Sequence, residues 1–113
     1  RDDMKPNYLA ESPNKPAILD LWTDMALTLG PQVFARQSAA LRDRPDQQAT
    51  LAAFTGPALV LMGAEDTLCP LDRHQLMHDL MPRSRLQIIA NAAHLPPPEQ
   101  PDATARALPA WLA

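Results

Sequence analysis

The sequence has 113 residues, a length that fits one domain and not two. Its net charge is −3, and no Lys/Arg cluster exceeds Arg83–Arg85 or Arg42–Arg44, so we expect no nucleic-acid partner. No apolar run is long enough to span a bilayer and no signal peptide opens the sequence, so we expect no membrane association. A single cysteine, Cys69, rules out an internal disulfide and indicates a reducing, cytoplasmic compartment.

The first half of the sequence predicts helices. Residues 1–15 are polar and aperiodic, which is typical of an arm or loop. Apolar residues then recur at three- and four-residue steps over 16–30, which predicts an amphipathic helix that Gly30-Pro31 ends. A second helix is predicted for 31–43, and a short capped helix within 46–54.

The second half alternates strands with helices. The short apolar runs 58–62 and 86–90 predict two buried strands, because buried strands read as continuous apolar stretches. Helices are predicted for 70–81 and 100–112. The intervening stretch 92–98 predicts a loop, and its three consecutive prolines predict extended polyproline II.

The order strand, helix, strand, helix predicts an α/β fold with parallel strands. Two parallel strands need cover on both faces and do not form a stable sheet alone. We therefore expect further strands from outside the sequence. They would come from a second copy, in a homo-oligomer, or from pairing with a missing N-terminal half.

An acid and a histidine follow the two predicted strands. Asp66 lies just past the first strand, and His94 lies just past the second. Ligands bind outside the carboxyl ends of parallel strands, so we expect the carboxylate and the imidazole to meet there. An acid that orients a histidine prepares it to accept a nucleophile's proton. The expected nucleophile motif, Gly-x-Ser-x-Gly, is absent, since Ser12, Ser38 and Ser84 all lack flanking glycines.

An ordered set of motifs runs through the same region. It reads Pro57-x-Leu59-Val60-Leu61-x-Gly63-x-x-Asp66-x-x-x-Pro70, then Met81-Pro82, then Ala93-His94-Leu95 and Glu99-x-Pro101, and it ends in Ala110-Trp111-Leu112. This set resembles the C-terminal part of an α/β-hydrolase-fold protein. The resemblance covers roughly residues 44–113 and implies two parallel strands with flanking helices, preceded by N-terminal cap helices. It implies an arm at 1–15, a helical cap remnant at 16–45 and a piece of the hydrolase core at 46–113.

The resemblance also implies an activity. Asp66 would be the triad acid and His94 the triad base of a serine-type, carboxylesterase-like hydrolase that needs no cofactor. Its substrate would be a small ester, acyl compound or carbon–carbon-bond compound. The chain begins at Arg1 rather than Met, as a fragment would, so we expect the nucleophile in a missing N-terminal half and no activity from this chain alone. The family usually has Gly where Ala93 stands.

Three alternatives remain open at this stage. The nucleophile is a Ser or, as in the dehalogenases and epoxide hydrolases of this fold, an Asp. Glu65 and Asp72 compete with Asp66 as the acid, and Asp66 would also suit a turn cap, although the Gly63 and Pro70 frame favours it. The chain is alternatively a non-catalytic fragment that folds only as an oligomer or with a companion chain.

Candidate substrate-binding residues come mainly from the cap. Trp22, Met25 and Phe34, with Leu95 beside the histidine, would contact a fairly apolar substrate. The same apolar stripe equally suits helix packing.

A metal site is not expected. His74 and His78 have the four-residue spacing that places two ligands on one helix face, but the sequence offers no third ligand near them. Cys69 follows the acid too closely to serve as a nucleophile.

Overall fold

A computed structural model describes residues 5–112, with side chains from Asn7 onward. Positions 1–4 of the predicted arm, which covers 1–15, therefore lie outside the described residues. In chain order the elements are a 3₁₀ turn at Lys5–Tyr8, α1 at Lys15–Asp43, α2 at Gln48–Ala53, β1 at Ala58–Gly63, α3 at Leu71–Leu80, β2 at Ser84–Ile89, α4 at Pro96–Glu99 and α5 at Pro101–Leu112. The prediction of an α/β fold with two strands and flanking helices is confirmed.

The long helix α1 is two helical segments joined at Gly30. This residue has φ 78° and ψ 174°, a conformation that glycine adopts at little cost, and Pro31 restarts the helix. The predicted boundary between two helices therefore lies where the sequence indicates. Within residues 5–112, none of the helices combines the length and the apolar character that a membrane span requires.

The sheet consists of β1 and β2, which pair in parallel from Ala58 opposite Ser84 to Gly63 opposite Ile89. Strand β1 carries buried side chains, as predicted. The prediction of a fully buried β2 is wrong, because Ile88 is 45% exposed. A sheet that contains two strands in the described part of the chain leaves apolar side chains without cover.

A second apolar cluster joins the N-terminal segment to α1. Leu9, Ile18 and Leu19 are buried together, and Trp22 and Leu95 pack against them. Leu9 therefore anchors the segment that was predicted as an arm. The contact with Leu95 attaches this segment to the loop that follows β2.

The stretch predicted as an extended loop contains a short helix. Residues Pro96–Glu99 form α4, with prolines in its first turn. The polyproline II prediction is wrong because proline is also accommodated at the start of a helix, where backbone N–H groups have no intrahelical acceptor. The helix places Glu99 beneath the histidine loop, a position that an extended chain would not give.

Candidate active site

The acid loop after β1 and the histidine loop after β2 are joined through their backbones. Ala64 donates its N–H to Ile89 O at 2.9 Å, and Glu65 donates to Ala92 O, also at 2.9 Å. These bonds extend the parallel pairing beyond the strand ends. The loops that carry the two predicted catalytic residues are therefore fixed against each other.

Gly63 is the point of closest approach between the two loops. A Cβ built on it would lie 2.1 Å from Ala93 O and 2.5 Å from Ala92 O. Both distances are far below van der Waals contact, so any side chain here would push the histidine loop away. The glycine that closes the predicted strand is required by this contact.

Asp66 is buried, and its carboxylate contacts both the turn after β1 and the His94 ring. Oδ1 accepts the backbone N–H of Leu68 at 3.0 Å and that of Cys69 at 2.9 Å, which closes the turn after β1. Oδ2 lies 3.1 Å from His94 Nδ1, and Oδ1 lies 3.3 Å from the same nitrogen. The turn-capping role and the histidine contact, considered as alternatives from the sequence, occur in the same carboxylate.

His94 is held by its backbone and by its ring. Its N–H donates to Tyr8 O at 2.8 Å, and its Nδ1 donates to Asp66. The side chain is 29% exposed, whereas the side chain of Asp66 is 4% exposed. Because Nδ1 carries the proton, Nε2 of the neutral ring is an acceptor. The pair has the geometry of an oriented general base.

A groove of about 530 Å³ runs past this pair. The end of β1, the acid loop and α3 form most of its wall. Its charged and polar lining residues are Arg44, Asp66, Cys69, Arg73, His74 and His94. Two of these residues, Arg44 and Arg73, are cationic, and Arg73 lies 3.8 Å from the Asp72 carboxylate.

The four predicted substrate-contacting residues do not line this groove. Trp22, Met25 and Phe34 line a separate, mostly apolar cavity of about 440 Å³ around the Gly30 joint. Leu95 packs on the apolar cluster of the N-terminal segment. Their contact with a substrate stays a prediction, because nothing in this arrangement joins the two cavities.

Sequence reasoning missed two contributors, Tyr8 and Glu99. The Tyr8 ring lies 6.2 Å from the His94 ring, and its carbonyl accepts the His94 N–H. Glu99 is 3% exposed and accepts the N–H groups of Ala93 and Leu95, on both sides of His94. Glu99 was part of the motif set, but no pattern marked it as buried. Nothing in the polar N-terminal segment pointed to Tyr8.

The two remaining histidines have other partners. His74 is buried, and its Nδ1 donates to Pro70 O at 3.3 Å. The Nδ1 of His78 lies 2.8 Å from Ser84 Oγ. Across residues 5–112, no group of three or more His, Cys, Asp or Glu side chains has the arrangement of a metal site.

No family model and no curated protein matches the sequence. Among solved structures, the chain is similar to a thermophilic esterase from Thermogutta terrifontis, solved with malate bound. The identity is 33% and the TM-score 0.89, over 98% of this chain and 42% of that one. It is also similar to a bacterial membrane phospholipase A, at 26% identity and TM-score 0.61, over 72% of this chain and 25% of that one. Est816, an N-acyl homoserine lactone degrading enzyme, matches at 18% identity and TM-score 0.71, over 94% of this chain and 44% of that one.

By name, these three proteins are an esterase, a phospholipase and a lactone-degrading enzyme, and the chain spans less than half the length of each. The resemblance inferred from the motifs is confirmed: the chain has the C-terminal part of an α/β-hydrolase fold, with two parallel strands and helices before and after them. The division into an arm, a cap remnant at 16–45 and a core piece at 46–113 stays a prediction.

Proposed function

We propose that the chain contributes the acid and the base of a carboxylic-ester hydrolase, with Asp66 and His94 in those roles. The observation that carries the proposal is the Nδ1–Oδ2 contact of 3.1 Å at the carboxyl ends of two adjacent parallel strands. The 33% identity to an esterase over 98% of the chain supports an ester as the substrate.

In the proposed reaction, a nucleophile from outside these 113 residues attacks the ester carbonyl. His94 Nε2 accepts the nucleophile's proton, and Asp66 stabilises the imidazolium that forms. The imidazolium then protonates the departing alcohol. Water, deprotonated by His94, releases the acid and restores the nucleophile. A serine fits the esterase similarity, and the chain alone is expected to be inactive.

The test is a chimera in which this chain replaces the matching 42% of the Thermogutta esterase. Its melting transition is checked first, and hydrolysis of a short nitrophenyl ester is then followed. His94→Ala is expected to lower kcat/KM by about 10⁴-fold. The matched control is His78→Ala, since His78 contacts Ser84 and lies outside the groove. A folded chimera that keeps its turnover after His94→Ala would contradict the assignment.

A second candidate is a non-catalytic assembly, with a second copy or a companion chain completing the sheet. The exposed Ile88 on β2 and the exposed apolar residues of α1 favour it. Sedimentation tests this candidate, and a well-folded monomer at low micromolar concentration would exclude it. The single cysteine leads us to propose a reducing, cytoplasmic location in either case.

A further inference from the structure

Glu99 is a buried carboxylate that the proposed reaction does not use. Glu99 is 3% exposed. None of the ion pairs within the described residues includes it. Burying a charge costs free energy unless hydrogen bonds compensate for it. The hydrogen-bond partners of Glu99 therefore indicate its role.

Three backbone N–H groups supply that compensation. Oε2 accepts from Ala93 at 3.0 Å and from Leu95 at 2.9 Å, and Oε1 accepts from Ala10 at 2.6 Å. The first two donors flank His94 directly. The third belongs to the N-terminal segment, which also accepts the His94 N–H at Tyr8 O. Each of the three consecutive N–H groups around the histidine therefore has a fixed acceptor.

The three prolines of α4 explain why this carboxylate reaches backward. Positions 96, 97 and 98 are all proline, so the first turn of α4 has no N–H group to offer. The Glu99 carboxylate instead accepts from Leu95, the N-cap residue four positions earlier.

We infer that Glu99 is the positioning residue for His94: its carboxylate fixes the backbone on both sides of the histidine and thereby sets the contact with Asp66. This inference rests on the proposed function only where it treats His94 as the base. A displacement of about 1 Å at a catalytic group lowers rates on the order of 100-fold, so fixing the loop has a direct catalytic value. Hydrogen bonds to a carboxylate are about twice as strong as neutral ones.

The test uses NMR spectroscopy of the esterase chimera, after its melting transition has shown it to be folded. In the wild type, a long-range HNCO spectrum is expected to connect the amide nitrogens of Ala93 and Leu95 with the Glu99 carboxylate carbon across the hydrogen bonds. The absence of both correlations would overturn the inference without any variant. This measurement also covers the case in which a Glu99 variant fails to fold.

Glu99→Gln replaces one acceptor oxygen by a donor. Amide exchange at Ala93 and Leu95 is expected to accelerate about 10- to 100-fold, while exchange in β1 stays unchanged. The imidazole ¹⁵N spectrum of His94 is expected to lose part of its Nδ1-protonated form, which a purely stabilising role would not affect. Asp102→Asn, an exposed acid in the first turn of α5, is the matched control.

Unchanged exchange and an unchanged His94 spectrum in Glu99→Gln would overturn the inference. These readouts report the position of the ring and not turnover. If they behave as expected while the His94→Ala chimera stays active, the positioning role stands and the catalytic role of His94 fails. If the chimera loses activity after His94→Ala but the spectra do not change in Glu99→Gln, the catalytic role of His94 stands and the positioning role of Glu99 fails.

Discussion

The carboxyl end of the sheet and the long helix α1 differ in how far their side chains are buried and hydrogen-bonded within the chain. The acid and histidine loops form a dense hydrogen-bonded unit within the chain, in which Asp66 and Glu99 are both buried. Within α1, a helix of 29 residues, only Ile18 and Leu19 are buried. Its exposed large apolar residues are Leu21, Met25, Leu27, Leu29, Phe34 and Leu41. The hydrogen bonds of the acid and histidine loops are therefore made within the chain, whereas the large apolar side chains of α1 have little cover from the described residues.

We expect the largest effect from replacing the Asp66 carboxylate at the proposed site. In the esterase chimera, Asp66→Asn is expected to lower kcat/KM by about 10⁴-fold, because an amide leaves the histidine in the wrong tautomer. Glu65→Gln is the matched control, since Glu65 is the neighbouring exposed acid. Ester hydrolysis measures both variants. A larger loss in the Glu65 variant would transfer the acid's role to that residue.

Next in size is the effect of adding a methyl group at two glycines. Gly63→Ala is expected to lower the free energy of unfolding by about 3 kcal/mol, because the new Cβ overlaps Ala93 O. Gly30→Ala in α1 meets nothing within 4 Å, so its cost of about 2 kcal/mol is backbone strain alone, because φ 78° with ψ 174° is a region essentially restricted to glycine. Urea denaturation of the 113-residue chain compares the two. Equal losses would mean that the sheet end is no more tightly packed than the helix joint.

A smaller effect comes from removing apolar atoms in each region. Val60→Ala in β1 is expected to cost about 2 kcal/mol, because the side chain is 5% exposed and leaves a cavity. Phe34→Ala in α1 is expected to change the free energy of unfolding by less than about 0.5 kcal/mol, because this side chain is 71% exposed. A large loss in the Phe34 variant would show that the helix is covered in solution, and sedimentation would then identify a second copy.

The smallest effect concerns the exposed ion pair at the end of α1. The Arg42 guanidinium donates two hydrogen bonds to Asp43 and lowers the pKa of that carboxyl. A lowered folded-state pKa stabilises above the unfolded pKa and loses this contribution as the pH falls through the folded value. Both groups are fully exposed, so solvent screens the pair. Asp43→Asn is expected to leave the urea midpoint unchanged at pH 7 and at pH 3. A clear loss at pH 7 alone would contradict this.

The sequence predicted the parts of the fold that short-range patterns determine. Two apolar runs gave both strands, and their parallel order brought Asp66 and His94 to the same edge, where the structure has them in contact. Gly30 marked the joint in α1 because only glycine adopts that conformation readily. Each of these inferences depends on a single residue type or on the spacing of apolar residues in one short stretch.

Long-range partners determine the remaining features. Glu99 is recognisable as buried only once α4 and the N-terminal segment are in place, and the Ala10 donor lies 89 residues away. The exposure of Ile88 depends on the number of strands in the sheet, which is two in the described residues and which no short-range pattern predicts. The prolines at 96–98 suit an extended chain and a first helical turn equally, so the surrounding hydrogen bonds decided the outcome.

Cys69 offers a natural site for specific chemical labelling of this chain. It is the single cysteine of the sequence, its N–H is bound to Asp66, and it is half-buried in the wall of the groove beside His94. A thiol-reactive fluorophore attached there would sit next to the acid–histidine pair without any engineered residue. Its emission is expected to change when another polypeptide or a small ester binds in the groove, which would make such binding observable in real time.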